Sequence, residues 1–266
     1  YFNQLNIPIG LVLLFLMGIG PLLSWNYTSQ SVLFNRFKLP LSISFLSGLG
    51  YIIFSSLFQL YVFVAIMGVS FTLSSILGEF YKSFKKQKNS SNFLHSIVKM
   101  FLSNRHKNGG YIVHIGIVLL FIGFIGRAFE VEKEFSLSPG EQIYFSNYVF
   151  KLNSIKSEAR DNHYAFLSEI DVVDSSTNQL LTNLKPEKRI YFYWNSDPEK
   201  RQPHSELDIY STIQKDIYSI FSGYDAQKNI GYFKIMINPL VNWVWIGGVL
   251  MVIGSLFAFW PSRRNS

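Results

Sequence analysis

The amino-acid sequence predicts a polytopic α-helical membrane protein with about five transmembrane helices and one extracytoplasmic antiparallel β domain. Two observations support this prediction. The 266 residues are 48% hydrophobic and 17% aromatic but only 15% charged, which is too apolar for one soluble domain of this length. The basic residues are also unevenly distributed, because eleven of them share three segments with a single acid.

Uncharged windows in the chain are long enough to cross a bilayer, whose hydrocarbon core of roughly 30 Å takes about 17 to 25 helical residues. One uncharged run, from Leu39 to Gly78, holds two such helices, because a break near Ser55 to Gln59 divides it into a tight hairpin. The five predicted helices are Ile7–Leu23, Leu41–Leu57, Leu60–Leu77, Gly109–Gly126 and Pro239–Trp260.

The distribution of charge predicts the topology. The segments Ser24–Lys38, Glu79–Asn108 and Pro261–Ser266 contain eleven Lys or Arg and the single acid Glu79, so the positive-inside rule places them in the cytoplasm. The other charged residues, with a net charge of −3, lie between Arg127 and Asn238, which this topology places outside. The formal charge of +7 therefore indicates membrane orientation and not a nucleic-acid partner.

Apolar residues at roughly helical spacing in the second basic segment, residues 93–102, predict an amphipathic helix that lies at the membrane interface. His95 and His106 belong to this basic stretch, and we interpret both as ordinary polar residues.

The region between the fourth and fifth helices changes to short runs typical of β-strands, punctuated by turn sequences. The runs include "YVFKLNSI", "YAFLSEIDVV", "RIYFYW" and "LDIYSTI", and the turns include "SPGE", "DSSTNQ" and "GYDAQKN". This pattern predicts an antiparallel barrel or sandwich. The chain is thus expected to divide into four helices with a basic loop (1–129), a β-rich domain (130–238) and a last helix with a basic tail (239–266).

Catalytic motifs are not evident in the β-rich region. The chain has no cysteine, so disulfides, thiolate metal sites and cysteine nucleophiles are excluded. The β-rich region lacks GxSxG, HExxH and phosphate-binding loops, and its carboxylates are scattered among Lys and Arg. His163 and His204 are 41 positions apart and make an incomplete metal site, so surface or structural roles are expected for them.

His114 is different, because it lies inside the apolar segment "NGGYIVHIGIVLLFIGF" between Lys107 and Arg127. Ionisable groups in membrane segments are costly and commonly mark an ion path, a proton relay or a cofactor, and neutral imidazole is a common haem ligand. A histidine hydrogen-bonded between helices remains an equal alternative from this residue alone. The surrounding glycines permit close approach of either another helix or a flat macrocycle. Arg127 is expected to extend toward lipid headgroups, and the alternative is that it pairs with a carboxylate such as a haem propionate.

Five segments of the chain resemble, in order, the C-terminal part of the bacterial cytochrome c maturation haem lyase family CcmF, with its paralogue NrfE. They are "YFNQLNIPIGLVLLFLMGIGPLLSWN", "NGGYIVHIGIVLLFIGF", "LSPGEQIYFSNYVFKL", "LKPEKRIYFYWN" and "NPLVNWVWIGGVLMVIGSLFAFWPSRR". The resemblance covers the chain essentially end to end.

This resemblance implies a multi-pass protein of the bacterial inner membrane, with the β domain on the periplasmic side. It implies a function in cytochrome c-type biogenesis with three partners: the haem chaperone CcmE, a CcmH-type subunit and apocytochrome c. It also implies a structural haem b with His114 as one axial ligand of the iron, because family members hold this haem between two histidines.

Other features of the family are not found in this sequence. The tryptophan-rich WWD loop, its two flanking histidines and the second haem ligand are missing, and His204 stands where a hydroxyl residue is expected. The chain is therefore expected to be a subunit or fragment of a haem lyase complex whose catalytic half lies elsewhere, and no catalytic residue is assigned. Two other classes remain open: a membrane electron-transfer protein that exchanges electrons between haem b and quinone, and a haem-free transporter or receptor.

Overall fold

The structure is a computed structural model that describes residues 2–23, 29–55, 57–87, 101, 104–192 and 203–260. Its contacts divide the chain into two compact units. The helical unit consists of Tyr1–Ala128 with Leu240–Ser266, and the β unit is Phe129–Pro239. The predicted amphipathic helix at residues 93–102 lies outside the described residues, apart from the helical residue Phe101.

The helical unit contains five helices that are long and apolar enough to cross a membrane, counted over the described residues. This finding confirms the predicted helical part of the fold class. The five are α1 (Phe2–Ile19), α2 (Gln30–Phe54), α3 (Leu60–Gln87), α4 (Arg105–Gly126) and α5 (Asn242–Phe259).

The two largest extensions beyond the predicted apolar windows are in α2 and α3. The helix α2 begins eleven residues before Leu41, and α3 continues ten residues past Leu77. Hydrophobicity marks only the part of a helix that matches the bilayer, whereas the helix itself continues into basic residues whose long side chains reach the headgroups.

Hydrogen bonds from hydroxyl groups join neighbouring helices within the apolar layer. The Ser44 hydroxyl on α2 donates to the Met67 carbonyl on α3 at 2.8 Å. The Thr72 hydroxyl on α3 donates to the Leu14 carbonyl on α1, also at 2.8 Å. Both hydroxyls are buried, and such interhelical bonds are typical of membrane helices, where no water is present to satisfy a polar group.

The β unit contains ten strands among the described residues, all paired antiparallel. One sheet has the order β1-β10-β9-β8, and the other has the order β2-β3-β4-β6-β7 with β5 also paired to β4. The strands are β1 (Val131–Leu137), β2 (Gln142–Phe145), β3 (Tyr148–Ala159), β4 (His163–Asp174), β5 (Leu180–Leu184), β6 (Glu187–Tyr191), β7 (Pro203–Glu206), β8 (Asp208–Ser211), β9 (Lys215–Asp225) and β10 (Ile230–Pro239).

Apolar side chains from both sheets form one core, so the unit is a β-sandwich. Phe150, Ile170 and Val172 come from one sheet and Phe221 and Phe233 from the other, each no more than 1% exposed. The rings of Phe221 and Phe233 stack with centroids 4.9 Å apart. The antiparallel β part of the predicted fold class is thus confirmed, and of the two architectures expected from the sequence the chain adopts the sandwich.

The junction between the last strand and the last helix differs from the predicted helix boundary at Pro239. Pro239 is the final residue of β10, where it faces Lys215 of β9, and α5 starts only at Asn242. Between them Leu240 has a φ of 64°, a conformation that L-residues with large side chains rarely adopt. The hydropathy window missed this boundary because it continues without a charge from strand into helix.

Candidate functional site

His114 lies in the third turn of α4, nine residues after the helix begins at Arg105. The helix starts there because the Asn104 side chain accepts a hydrogen bond of 3.2 Å from the Lys107 backbone amide, which caps the first turn. The His114 side chain is half-buried. Its ring nitrogen Nδ1 is buried without a hydrogen-bond partner among the described residues.

Three side chains on one face of α4 line a cavity of about 970 Å³. They are Lys107, Tyr111 and His114, whose spacing of four and three residues places them on the same side of a helix. The end of α1 and the polar ends of α2 and α3 complete the lining with Gly20, Pro21, Leu23, Arg36, Glu79, Lys82, Ser83 and Lys85. The volume falls in the range of about 300–1,000 Å³ that is typical of cofactor and small-molecule sites.

The charge of the lining is strongly positive. Among the described lining residues, four are cationic and one, Glu79, is acidic. Glu79 accepts from Lys82 Nζ at 2.9 Å and from Lys107 Nζ at 3.2 Å. The Glu79 side chain is only 13% exposed, whereas its two lysine partners are about half exposed. Glu79 therefore joins α3 to α4 and holds two cations at the cavity.

Two further contacts fix the cationic side chains. Lys107 Nζ lies 5.4 Å from the centroid of the Tyr111 ring, a cation–π arrangement. The Arg36 guanidinium donates to the Leu22 carbonyl at 3.1 Å, at the end of the 3₁₀ turn that follows α1. Three of the four cations, Arg36, Lys82 and Lys107, are therefore held by contacts of their side chains.

The lining fits part of a haem site. The imidazole nitrogen without a partner suits the iron of a haem, and the cationic lining suits its two carboxylates. The cavity is large enough for a cofactor. Among the described residues, His114 is the one histidine that lines the cavity. His106 is exposed on the first turn of α4, and His95 lies outside the described residues. The described residues thus offer one strong axial donor.

The space beside most glycines of α4 is filled by a neighbouring helix. A Cβ added at Gly109, Gly116 or Gly123 would come within 2.4 to 2.7 Å of an atom of Ala258, Gly247 or Val244. The residues they meet are all on α5. Gly110, one turn before His114, is different because nothing lies within 4 Å of its added Cβ. Gly109, Gly116 and Gly123 form a glycine stripe along α4. The sequence allowed either another helix or a flat macrocycle to pack against it, and in the structure the partner is a helix.

Arg127 follows the last residue of α4 and is exposed. It is not part of the cavity lining. It lies 13 residues beyond His114, about 20 Å along the helix axis. This position is compatible with the expected contact with lipid headgroups.

The two histidines of the β unit are far apart in the sequence but both contact the ring of Tyr191. The centroid of that ring is 4.9 Å from the centroid of His163 and 5.6 Å from that of His204. His163 is 7% exposed and pairs through Nδ1 with the Asn162 side chain at 2.6 Å. Among the described residues, no group of three or more His, Asp or Glu could hold a metal ion.

The cavity itself is not evident from the sequence. There the cations Arg36, Lys82, Lys85 and Lys107 indicate topology and are not assigned to a site. One signal was present, because Lys107, Tyr111 and His114 share one helical face. That Glu79 and Lys82 belong to the same lining can be seen only once α3 is known to pack beside α4.

Comparison with known proteins agrees with this architecture. Residues 128–239 match the family model described as the CcmF C-terminal beta-sandwich. The cytochrome c-type biogenesis protein CcmF of Haemophilus influenzae is 23% identical over 264 residues, which are 99% of this chain and 39% of that protein. The probable cytochrome c-type biogenesis protein NrfE of Escherichia coli is 25% identical over 155 residues, 58% of this chain and 26% of that protein.

A solved structure described as cytochrome c heme lyase CcmF shares the fold. It superposes with a TM-score of 0.73 at 21% identity and covers 98% of this chain and 40% of the solved one. The chain spans about two fifths of the length of the CcmF protein of H. influenzae. Through both its helices and its β-sandwich, this chain therefore resembles the C-terminal part of CcmF, in the CcmF/NrfE family.

Proposed function

We propose that this chain is a membrane subunit or C-terminal fragment of a cytochrome c haem lyase that acts in cytochrome c-type biogenesis. In this proposal it holds a structural haem b, with His114 as one axial ligand of the iron, and assists the covalent attachment of haem to apocytochrome c. The main support is the position of His114, which lines a cofactor-sized cavity and has a buried ring nitrogen without a partner.

The chemistry of the site favours a metal ligand over a buried structural histidine. A buried polar atom without a partner is costly, so structural histidines inside proteins are normally hydrogen-bonded. When bound, haem supplies an iron that accepts a lone pair from imidazole. The contribution of the chain is to present the neutral imidazole of His114 on α4 and to close one side of the cavity with Tyr111 and the end of α1.

We assign no catalytic residue in this chain. In this proposal the thioether bonds form between haem vinyl groups and cysteine thiols of the apocytochrome, and the WWD loop of the resembled family is not found in this sequence. For the β-sandwich we propose a docking role toward a CcmH-type subunit, the haem chaperone CcmE and apocytochrome c. The basic segments, by the positive-inside rule, support a location in the bacterial inner membrane with the β-sandwich on the periplasmic side.

The proposal is tested by reduced-minus-oxidised absorption spectra of three preparations: the chain alone, the chain coexpressed with the N-terminal half of a CcmF-type protein, and the same coexpressed complex with His114→Ala. We expect a low-spin b-type spectrum from the complex and a weak one from the chain alone, because stable low-spin ligation needs two strong axial donors. His114→Ala should lower or shift the signal, and added imidazole should partly restore it. His106→Ala, on the same helix but outside the cavity, is the matched control.

Two outcomes would contradict the proposal. An unchanged spectrum in the His114→Ala complex would remove this residue from the iron, and a full low-spin spectrum from the chain alone would show that the second ligand is not missing. Copurification with a CcmH-type subunit or apocytochrome separates the haem lyase from an electron-transfer protein. Reduction of the haem by quinol without those partners would favour electron transfer.

A further inference from the structure

The four cations that line the cavity come from three helices. Arg36 is on α2, Lys82 and Lys85 are near the end of α3, and Lys107 is in the first turn of α4. With Glu79 counted against them and His114 neutral, the described lining has a net charge of +3, which is four cations minus one acid. Like charges gathered in a partly buried site repel one another unless an anion lies among them.

We propose that this cationic wall, made of Arg36, Lys82, Lys85 and Lys107, is a carboxylate-binding subsite for the two propionates of haem. This inference rests on the proposed function, because it assumes that His114 binds the iron of the same macrocycle. It assigns the anionic edge of the haem to the end of the cavity formed by charged residues.

The spacing along α4 supports this arrangement. Lys107 and His114 are seven residues apart on one face of the helix, about 10 Å along its axis. A porphyrin has its iron at the centre and its carboxylates at one edge, so it can reach from His114 to the turn that contains Lys107. Arg36 adds a planar guanidinium of the kind that recognises carboxylates through paired hydrogen bonds.

Glu79 acts in this subsite as an internal competitor. Its carboxylate already receives hydrogen bonds from Lys82 and Lys107, at 2.9 and 3.2 Å, so an incoming carboxylate must share these donors with it. Glu79 thereby keeps the lysines in position and also weakens the attraction for the ligand. Removing its charge should therefore strengthen the binding of an anionic ligand, whereas removing the lysines should weaken it.

The test uses the full 266-residue chain in nanodiscs of zwitterionic lipid and iron-free protoporphyrin IX as the probe, followed by its fluorescence. The absence of iron separates the carboxylate subsite from ligation by His114. We expect the dimethyl ester of protoporphyrin IX to bind about tenfold more weakly than the free diacid, because esterification removes both negative charges. This comparison needs no variant and so does not depend on the folding of one.

Variants of the chain identify the residues that bind the carboxylates of the porphyrin. Lys82→Gln combined with Lys107→Gln should weaken binding of the diacid about tenfold and leave binding of the ester nearly unchanged, and it should lower the salt dependence of the diacid. Glu79→Gln should tighten binding of the diacid about threefold. Lys38→Gln is the matched control, since Lys38 is an exposed lysine of α2 outside the cavity lining.

The results distinguish the subsite from the proposed function. Equal binding of diacid and ester, or equal loss in Lys38→Gln and in the double variant, would overturn the carboxylate subsite even if His114 proved to bind haem iron. Charge-dependent binding of the iron-free diacid would support the subsite even if His114→Ala left the haem spectrum unchanged. Selective retention of phosphatidylglycerol by the cationic wall, with no preference for the porphyrin diacid, would assign the wall to an anionic lipid headgroup and overturn the proposal.

Discussion

Gly116 of α4 and Gly247 of α5 pack backbone against backbone. A Cβ added at Gly116 would lie 2.7 Å from the Gly247 carbonyl oxygen, and one added at Gly247 would lie 2.5 Å from the Gly116 carbonyl oxygen. Since real Cβ atoms do not approach backbone this closely, the two helices can come this close at this point because both residues lack a side chain.

Gly116→Val is therefore expected to separate α4 from α5 and to destabilise the helical unit. The measurement is the thermal stability of the purified chain in detergent, followed by aggregation or by circular dichroism. Gly110→Ala is the matched control on the same helix, because nothing lies within 4 Å of its added Cβ and Ala is the better helix former. Equal stability of the two variants would show that the α4–α5 contact is not tight.

The β-sandwich, Phe129–Pro239, is expected to fold when expressed alone and without metal. Its core draws side chains from both sheets, and the chain has no cysteine, so its stability is expected to come from apolar burial. Circular dichroism of the separate domain with and without a chelator checks this prediction. A large loss of β signal after chelation would refute it.

Phe233→Ala is expected to destabilise that domain by about 3–5 kcal/mol, because it removes a ring that is 1% exposed and stacked on Phe221. Tyr232→Ala is the control at the adjacent position. The Tyr232 side chain is 44% exposed, so its loss should change the free energy of unfolding by about 1 kcal/mol or less. Urea unfolding of both variants provides the comparison, and similar losses would mean that the Phe221–Phe233 stack is not the centre of the core.

Asp174 is expected to make the stability of the β-sandwich depend on pH below 4. Hydrogen bonds from the Ser176 side chain and from the Ser176 and Thr177 amides lower the pKa of its carboxyl from 3.8 to about 2. A carboxyl whose pKa is lower in the folded state stabilises the fold above its unfolded pKa and loses this effect as the pH falls through the folded one. The stabilisation should thus be complete above about pH 4 and largely lost near pH 2.

The comparison is urea unfolding of the native domain and of Asp174→Asn between pH 5 and pH 2. The native domain should be the more stable at pH 5, and the difference should shrink as the pH falls. A difference that is independent of pH would show that the ionised carboxylate is not what stabilises the turn.

The topology prediction places Asn35 in the cytoplasm and Asn178 outside, because the eleven basic residues cluster in the predicted inner segments. The chain has no native cysteine, so Asn35→Cys and Asn178→Cys each introduce one thiol at an exposed position. An impermeant maleimide applied to intact spheroplasts should label only the second variant. Labelling of the first variant alone would invert the proposed orientation.

The local pattern of the sequence was sufficient to predict several features of the structure. The apolar windows predicted the five membrane-length helices that the described residues contain, because a helix that crosses hydrocarbon must be apolar along its whole span. The break near Ser55 appears as the end of α2 at Phe54 and the start of α3 at Leu60. The short alternating runs predicted an antiparallel β domain, and the sequence singled out His114 because an ionisable group is rare within such a helix.

Other features depended on contacts between distant parts of the chain. The pairing of Val131 with Ile237 joins β1 to β10 across more than a hundred residues, and the meeting of Glu79 with Lys107 requires α3 to lie beside α4. Periodicity determines which face of an element is apolar, but not which partner covers that face. The partner is selected by the packing of the whole unit. The glycine stripe of α4 was therefore visible in the sequence, but its contact with α5 was not. That contact and the cationic cavity around His114 were decided only by the tertiary structure.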